Sequence, residues 1–354
     1  MLTRNSPGWY LRAVIPNRIV RTMREDLLQL DGVRRVDPDQ EELIQVLRPS
    51  VPGQDLVEWL TENADTVREQ SADHTLLLFR GFSVGSAANF ERAIALIVPE
   101  FNTEYGDLSH KVQNTNFVQE ATPYPDDLAI LFHNEASHTP GYPERICFYC
   151  QVPAVADGET PMLPCDKMLE HLPADLQDAF ETRGLRYIRN FIPGLDVPWE
   201  RFFATTDRAS VEQQCRENGT DFFWREDGGL RIETNRPAIV RHPKSGAKLF
   251  FNQILLHHPA VLDPEVREDL LAMCDGDYPR SVTYGDGAEI PDSVIETVLQ
   301  AEVDAAIMFD YEPEDVLVCD NIAFAHARRR YTPPRSIRVL LSRFVGDEIL
   351  AQPA

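Results

Sequence analysis

The stretch that most constrains this chain is Ile130-Leu-Phe-His133-Asn-Glu135-Ala-Ser-His138, an apolar run that abruptly presents a histidine and a carboxylate two positions apart. In an extended strand the side-chain period of two puts His133 and Glu135 on one face, close enough to grip a single ion. A third ligand must come from elsewhere, and Asp315-Val-Leu-Val-Cys-Asp-Asn-Ile-Ala-Phe-Ala-His326 offers a histidine at the end of another β-rich run. The tripeptide alone is a weak signal. Its context is stronger, because charged groups are seldom placed in an apolar strand unless they are paired or coordinate a metal.

Around these segments the periodicity alternates between helix and strand. Residues 1–72 read as a helical leader packed on the core, with apolar positions three and four apart over 40–47 and 55–63. A short buried strand follows at 75–79, and Ser86 stands where an N-cap belongs before a helix beginning near Asn89. Residues 128–165 are β-rich. Acidic helical segments dominate 166–230 and recur over 260–303, with strands at 238–242, 248–253 and 337–344. No Gly/Ser-rich or Pro-rich linker divides the chain, so the helical stretches read as insertions in one domain spanning 73–349. Strands at both ends with helices between them fit a mainly β core, a sandwich or barrel decorated by helices.

Charge and cysteine usage narrow the partners. With 57 acidic against 34 basic residues the field repels polyanions, which makes nucleic acid and anionic membrane poor partners. The six cysteines are scattered as reduced thiols would be in a cytoplasm. No apolar run approaches the roughly 20 residues that span a bilayer. The first 24 residues carry five arginines and no acid, but Pro7 and Pro16 interrupt the amphipathic helix that a transit peptide needs.

Two histidines and one carboxylate with open positions form the face that suits a non-haem iron. Downstream of His326, Arg328, Arg329 and Arg330 read as partners for the acidic surface, whereas Arg335 and Arg338 open a strand and can hold a carboxylate bidentately. Gly81-Phe-Ser83-Val-Gly85 matches a nucleophile elbow and would make Ser83 the nucleophile of a serine hydrolase. The βα alternation that such a sheet needs is missing. A metal-free β-sandwich binding protein is the other alternative. Cys147 and Cys150 form C-x-x-C, but their odd offset sends them to opposite faces of a strand.

The segments His133-Asn-Glu135, Gly158-Glu-Thr160-Pro, Asp320-Asn-x4-His326 and Pro334-Arg335-x-Ile resemble the Fe(II)/2-oxoglutarate dioxygenases of the taurine dioxygenase superfamily. Leu78-Phe-Arg-Gly-Phe, Tyr142-Pro-x-Arg-x-x-Phe-Tyr-Cys, Phe251-Asn-Gln and Tyr284-Gly-Asp-Gly are similar to the branch that includes the syringomycin-pathway aspartyl hydroxylase. The resemblance runs from about residue 75 to 345.

It implies a double-stranded β-helix (jelly-roll, cupin-like) core with iron at its mouth. His133, Glu135 and His326 would be the iron ligands. Thr160 would hydrogen-bond the distal carboxylate of 2-oxoglutarate, and Arg335 would pair with it. Many relatives carry two adjacent arginines where this chain has Arg335-Ser336, so Arg338 stays open as a substitute. The implied reaction consumes 2-oxoglutarate and O2, releases succinate and CO2, and oxidises an unactivated C–H bond. Halogenating relatives replace the ligand carboxylate with a small residue, so Glu135 argues for hydroxylation. The implied substrate is an amino acid or a derivative, free or bound to a carrier protein, in specialised metabolism such as antibiotic biosynthesis. A carrier is usually acidic too, so a small free substrate, cationic for preference, avoids repulsion. Position suggests Gln113, Asn116 and Ser137 as substrate contacts, and the resemblance, which places the Phe251-Asn-Gln strand near the substrate, implies Asn252 and His257, with His138 and His242 behind them.

Overall fold

A strand covered on both faces has no polar side to show, and Leu76–Phe79 is such a strand. Leu77 and Phe79 pack against helices Leu56–Gln70 and Ala87–Ala95, while Leu76 and Leu78 point the other way into a second apolar layer. The same alternation separates Cys147 from Cys150, each a buried free thiol in a different layer. Truncating a side chain such as Leu78 in this layer to alanine would cost roughly 2–5 kcal/mol. The computed structural model describes residues 24, 30, 32–70, 76–102, 112–121, 124–192, 197–274 and 276–350.

Leu76–Phe79 belongs to a six-stranded sheet in the order Ile44–Leu47, Leu76–Phe79, Val316–Asp320, Arg145–Val152, Ser336–Leu341 and Gln119–Glu120. The first pair is parallel and the rest are antiparallel. A five-stranded sheet runs in the order Arg34–Arg35, Ile307–Met308, Met162–Pro164, Phe324–Arg328 and Ile130–His133. Residues of both sheets, among them Leu78, Phe148, Met162, Ile307, Phe324 and Ile337, share one buried cluster. The metal-suited strands therefore sit in the smaller of two packed sheets. Ser86 caps helix Ala87–Ala95 as the sequence predicts, accepting from the Asn89 N–H.

Two expectations are corrected. The segment 40–47 does not form a helix; Ile44–Leu47 is a strand, because its apolar side chains pair in parallel with Leu76–Phe79 and complete the sheet. The part of the expected leader that lies in 1–23 is outside the described residues. The region 166–303 is not purely helical either. Besides helices Cys165–His171, Ala174–Arg183, Arg208–Glu217, Pro264–Met273 and Asp292–Ala305 it holds a four-stranded antiparallel sheet, in the order Thr220–Trp224, Leu230–Arg236, Leu185–Phe191 and Arg280–Tyr284. One face of that sheet, with Leu185, Tyr187, Val282 and Tyr284, joins the buried cluster that contains Leu131 and Ala136. This packing brings the inserted sheet against the end of the His133 strand.

Candidate active site

Strand register places the two histidines. Ile130–His133 and Phe324–Arg328 run antiparallel with His133 directly opposite His326, and their ring centroids are 4.3 Å apart. Glu135 differs from the extended reading. The strand ends at His133, and Glu135 stands in the turn beyond it, just before Ala136 at φ 59°. Its carboxylate reaches 4.0 Å from Nε2 of both His133 and His326. All three ligand atoms lie within 4.8 Å of one another, so the cluster could hold a metal ion.

The turn is held by three asparagines. The Asn321 side chain accepts from the Glu135 N–H at 2.7 Å and donates to the Glu135 and Pro143 carbonyls at 3.1 and 2.8 Å. The Asn134 side chain donates to the Asn321 carbonyl and accepts from the Asn252 N–H. Gln253 donates to the Asn134 carbonyl. Beside Asn321, burial opposes ionisation of Asp320, but a hydrogen bond from His242 and the charge of Arg145 outweigh it and hold the carboxyl down to about 2.

Protonation favours ligation. His133 Nδ1 lies 2.8 Å from the Leu131 carbonyl, which can only accept, so Nδ1 carries a proton and Nε2 is the nitrogen that faces the cluster. Burial first, and then His133, keep the His326 pKa well below the ordinary histidine value, and that ring is neutral.

A cationic wall lies next to His326 on the other side. Met162 pairs with His326, and Thr160 precedes it by two residues. Arg335 donates from Nε to the Gly158 carbonyl at 2.9 Å and from Nη2 to Thr160 Oγ1 at 3.3 Å, with its guanidinium 5.4 Å from the Tyr331 ring centroid. Gly158 has φ 78°, and a Cβ there would meet Tyr331 at 2.7 Å, Ala154 at 2.8 Å and Arg335 at 3.2 Å. Only glycine fits. Burial lowers the pKa of Arg335, and no carboxylate pairs with it among the described residues. Arg338 is elsewhere, bound to Glu120 at 2.9 Å and Gln151 at 3.0 Å.

The other arginines divide. Arg329 pairs with Asp157 and Glu159. Arg328 does not meet a surface acid; it donates to the carbonyls of Tyr124, Pro125 and Leu128, and burial, with Arg335 nearby, pushes its pKa down to about 10.

Of the suggested substrate contacts, His257 is buried on the short helix Ile254–His257. Its ring is 5.0 Å from that of His138 and 4.9 Å from that of Tyr187, and burial pushes its pKa down to about 3. Asn252 is buried with an unpartnered side-chain nitrogen. Ser137 closes the metal turn by donating to the Asn134 carbonyl. Gln113 and Asn116 are exposed, and Asn116 is taken up by Glu91. His242 supports Asp320 and does not enter the cluster. Sequence reasoning missed Tyr187 and Asn321; the alternation of Leu185-Arg-Tyr-Ile-Arg-Asn-Phe191 was the signal available for the first. Ser83 is exposed, and the N–H groups of Val84 and Gly85 that could form an oxyanion hole are already bound by Glu314 at 2.7 and 2.5 Å.

A family model described as taurine catabolism dioxygenase TauD, TfdA family matches residues 39–343. The dapdiamide synthesis protein DdaC of Enterobacter agglomerans is 34% identical over 266 residues, 75% of this chain and 81% of that protein. A clavaminate synthase-like protein of Arabidopsis thaliana is 28% identical over 276 residues, 75% of this chain and 80% of that one. Among solved structures, a taurine dioxygenase from Burkholderia xenovorans shares the fold with a TM-score of 0.50 at 14% identity, over 91% of this chain and 95% of that one.

Proposed function

The chain belongs to the TauD, TfdA family of Fe(II)/2-oxoglutarate-dependent dioxygenases, and from that premise we propose that it hydroxylates an unactivated C–H bond of an amino acid or amino-acid-derived small molecule. Iron, 2-oxoglutarate and O2 together supply the oxidising chemistry, with succinate and CO2 as co-products. The protein's task is to hold, orient and keep dry.

His133, Glu135 and His326 are the iron ligands in this reading. The observation that carries it is their convergence, two imidazoles and one carboxylate within 4.8 Å, on a strand pair and a tethered turn. That donor set leaves open positions on one side. Glu135 fills the place that a halogenating enzyme would leave vacant, which supports hydroxylation. Thr160 and Arg335 hold the distal carboxylate of 2-oxoglutarate. A half-buried guanidinium that no carboxylate pairs with among the described residues supports this, since its partly desolvated charge is stabilised by an incoming anion. Arg338, occupied by Glu120, is not the clamp. Arg328 fixes the 124–128 loop beside it.

The two facing sheets are read as a double-stranded β-helix, and because Arg34–Arg35 and Ile44–Leu47 are strands of those sheets, the single dioxygenase domain of this reading starts before residue 73 and runs to 349. A role in specialised metabolism is supported by the relative that takes part in dapdiamide synthesis. Six buried free cysteines fit a cytoplasmic protein, and among the described residues no helix is long and apolar enough to cross a membrane.

Anaerobic addition of Fe(II) and 2-oxoglutarate should produce a weak visible charge-transfer band that is lost in His133→Ala. Succinate release across free amino acids, their carboxamides and carrier-bound aminoacyl thioesters then identifies the substrate. A wild-type protein with no band, or a band unaltered in His133→Ala, overturns the assignment of the iron site.

A further inference from the structure

We propose that His242 is a positioning residue for the iron site: acting through Asp320, it sets the turns that present Glu135 and His326. The inference rests on the reading of His133, Glu135 and His326 as the iron ligands.

His242 belongs to the inserted region. Strands Ile239–Arg241 and Lys248–Phe250 form a two-stranded antiparallel hairpin, and His242 follows the first of them. Two backbone bonds of 2.9 Å close the loop, from the His242 N–H to the Ala247 carbonyl and from the Gly246 N–H to the His242 carbonyl. Val240, Leu249 and Phe250 of the hairpin are buried in one cluster with Leu131, Ala136, Ile322 and Ala325. Leu131, Ala136 and Ala325 each lie within two positions of a ligand in the sequence. Burial of the apolar side chains of the hairpin therefore seats it against the iron site.

The surroundings of the imidazole assign its two nitrogens. The N–H groups of Lys244 and Ser245 both donate to Nδ1 at 3.3 Å, so Nδ1 is the acceptor. Nε2 then carries the proton and donates to Asp320 Oδ2 at 3.3 Å. His242 and Asp320 are both buried, and a hydrogen bond to a charged group is strongest out of water. Arg145 stands 3.6 Å from the same oxygen, which supplies charge beyond the reach of a hydrogen bond.

Asp320 is the corner between the two sheets. It ends strand Val316–Asp320 of the six-stranded sheet, and Phe324–Arg328 of the five-stranded sheet follows a short turn later. Its other oxygen, Oδ1, accepts from the N–H groups of Ile322 and Ala323 at 3.0 and 3.3 Å, which closes the turn that leads to His326. Asn321 sits inside that turn, and its side chain holds the N–H and the carbonyl of Glu135. One carboxylate thus orients the approach to two ligands, and His242 holds its second oxygen.

The other strand of the hairpin grips the metal turn as well. Just beyond Lys248–Phe250, the Asn252 N–H donates to Asn134 Oδ1 at 3.2 Å and the Asn252 carbonyl accepts from the Asn134 N–H at 3.1 Å. Asn134 lies between His133 and Glu135. The two flanks of one hairpin bracket the ligand set, His242 at Asp320 and Asn252 at Asn134.

Two substitutions separate positioning of the iron site from support of the hairpin loop. His242→Asn keeps an oxygen near the place of Nδ1 for the Lys244 and Ser245 N–H groups, but is too short to reach Asp320. His242→Gln extends an amide N–H to the place of Nε2 and leaves the loop N–H groups without their acceptor. The purified full chain, stripped of metal, is titrated anaerobically with Fe(II), and with Co(II), whose visible ligand-field bands report coordination. His242→Asn should weaken Fe(II) about 3- to 10-fold, less than the loss of a group that touches a ligand directly, and alter the Co(II) bands. His242→Gln should stay within about twofold of wild type and keep the bands. Adding His242→Asn to Asp320→Asn should bring no further loss, because the histidine acts through that carboxylate. Unchanged affinity and bands in His242→Asn, equal losses in the two variants, full additivity with Asp320→Asn, or affinities that merely follow the metal-free melting temperatures would each overturn the inference. A wild-type chain that binds neither metal, or binds both no better than His133→Ala does, overturns the iron reading itself and the inference with it.

Discussion

The proposed iron end and the proposed substrate end of this protein are built differently. His133 and His326 are fixed by direct antiparallel pairing within the five-stranded sheet, and Glu135 by a turn that three asparagines tie to both sheets. His257 and Tyr187 come instead from the inserted region, on a short helix and a separate four-stranded sheet. Backbone register is an exact constraint, whereas packing between a core and an insertion tolerates drift. The difference suits a dioxygenase whose oxidant must be invariant while its substrate pocket can diverge.

That division can be broken first at the ligands. His326→Ala should cost on the order of 10³-fold or more in coupled succinate release and abolish the charge-transfer band, with thermal stability near wild type. Retained turnover would show that the register-built end is not the reactive one. Arg335→Gln should weaken 2-oxoglutarate about 10- to 100-fold in an anaerobic band titration, while Arg338→Gln should shift it less than about twofold. If the two variants behave alike, the clamp is not confined to the wall beside Thr160.

Smaller effects sharpen the same boundary. Asn321→Ala removes three hydrogen bonds around Glu135 and should weaken Fe(II) binding about 10- to 100-fold, the usual cost of losing a group that orients a metal ligand. His257→Gln should leave that titration unchanged and raise KM for substrate only. The smallest effect concerns acid stability. Asp320 is held down to about 2, so its contribution, about 2 kcal/mol, is present above pH ~4 and is lost as pH falls towards 2. Acid unfolding followed by circular dichroism should be less steep in that interval for Asp320→Asn, and an unchanged slope would remove Asp320 from the account.

What the sequence made legible follows the same division. The clustering of His133, Glu135 and His326 was readable because a histidine and a carboxylate interrupting apolar runs suggest a paired or coordinating role. The exact place of Glu135 was not, since its turn depends on Asn321, far along the chain, and no local rule carries that contact. Ile44–Leu47 was misread as helix because sheet pairing overrides local periodicity at the edge of a covered sheet. Leu185–Phe191 was hidden between acidic helices, and with it Tyr187. Gln113 and Asn116 were chosen for nearness in sequence to the metal strand, but Glu91 draws Asn116 to the helix Ala87–Ala95.

The pairing of His133 opposite His326 also has a bearing on how the protein matures. Side chains alternate along a strand, so a slip of a single residue between these two strands would turn one imidazole to the wrong side. In the proposed iron site only a chain with the correct pairing would bring both imidazoles to the metal, so the iron content of a freshly refolded preparation should count the correctly paired molecules in it.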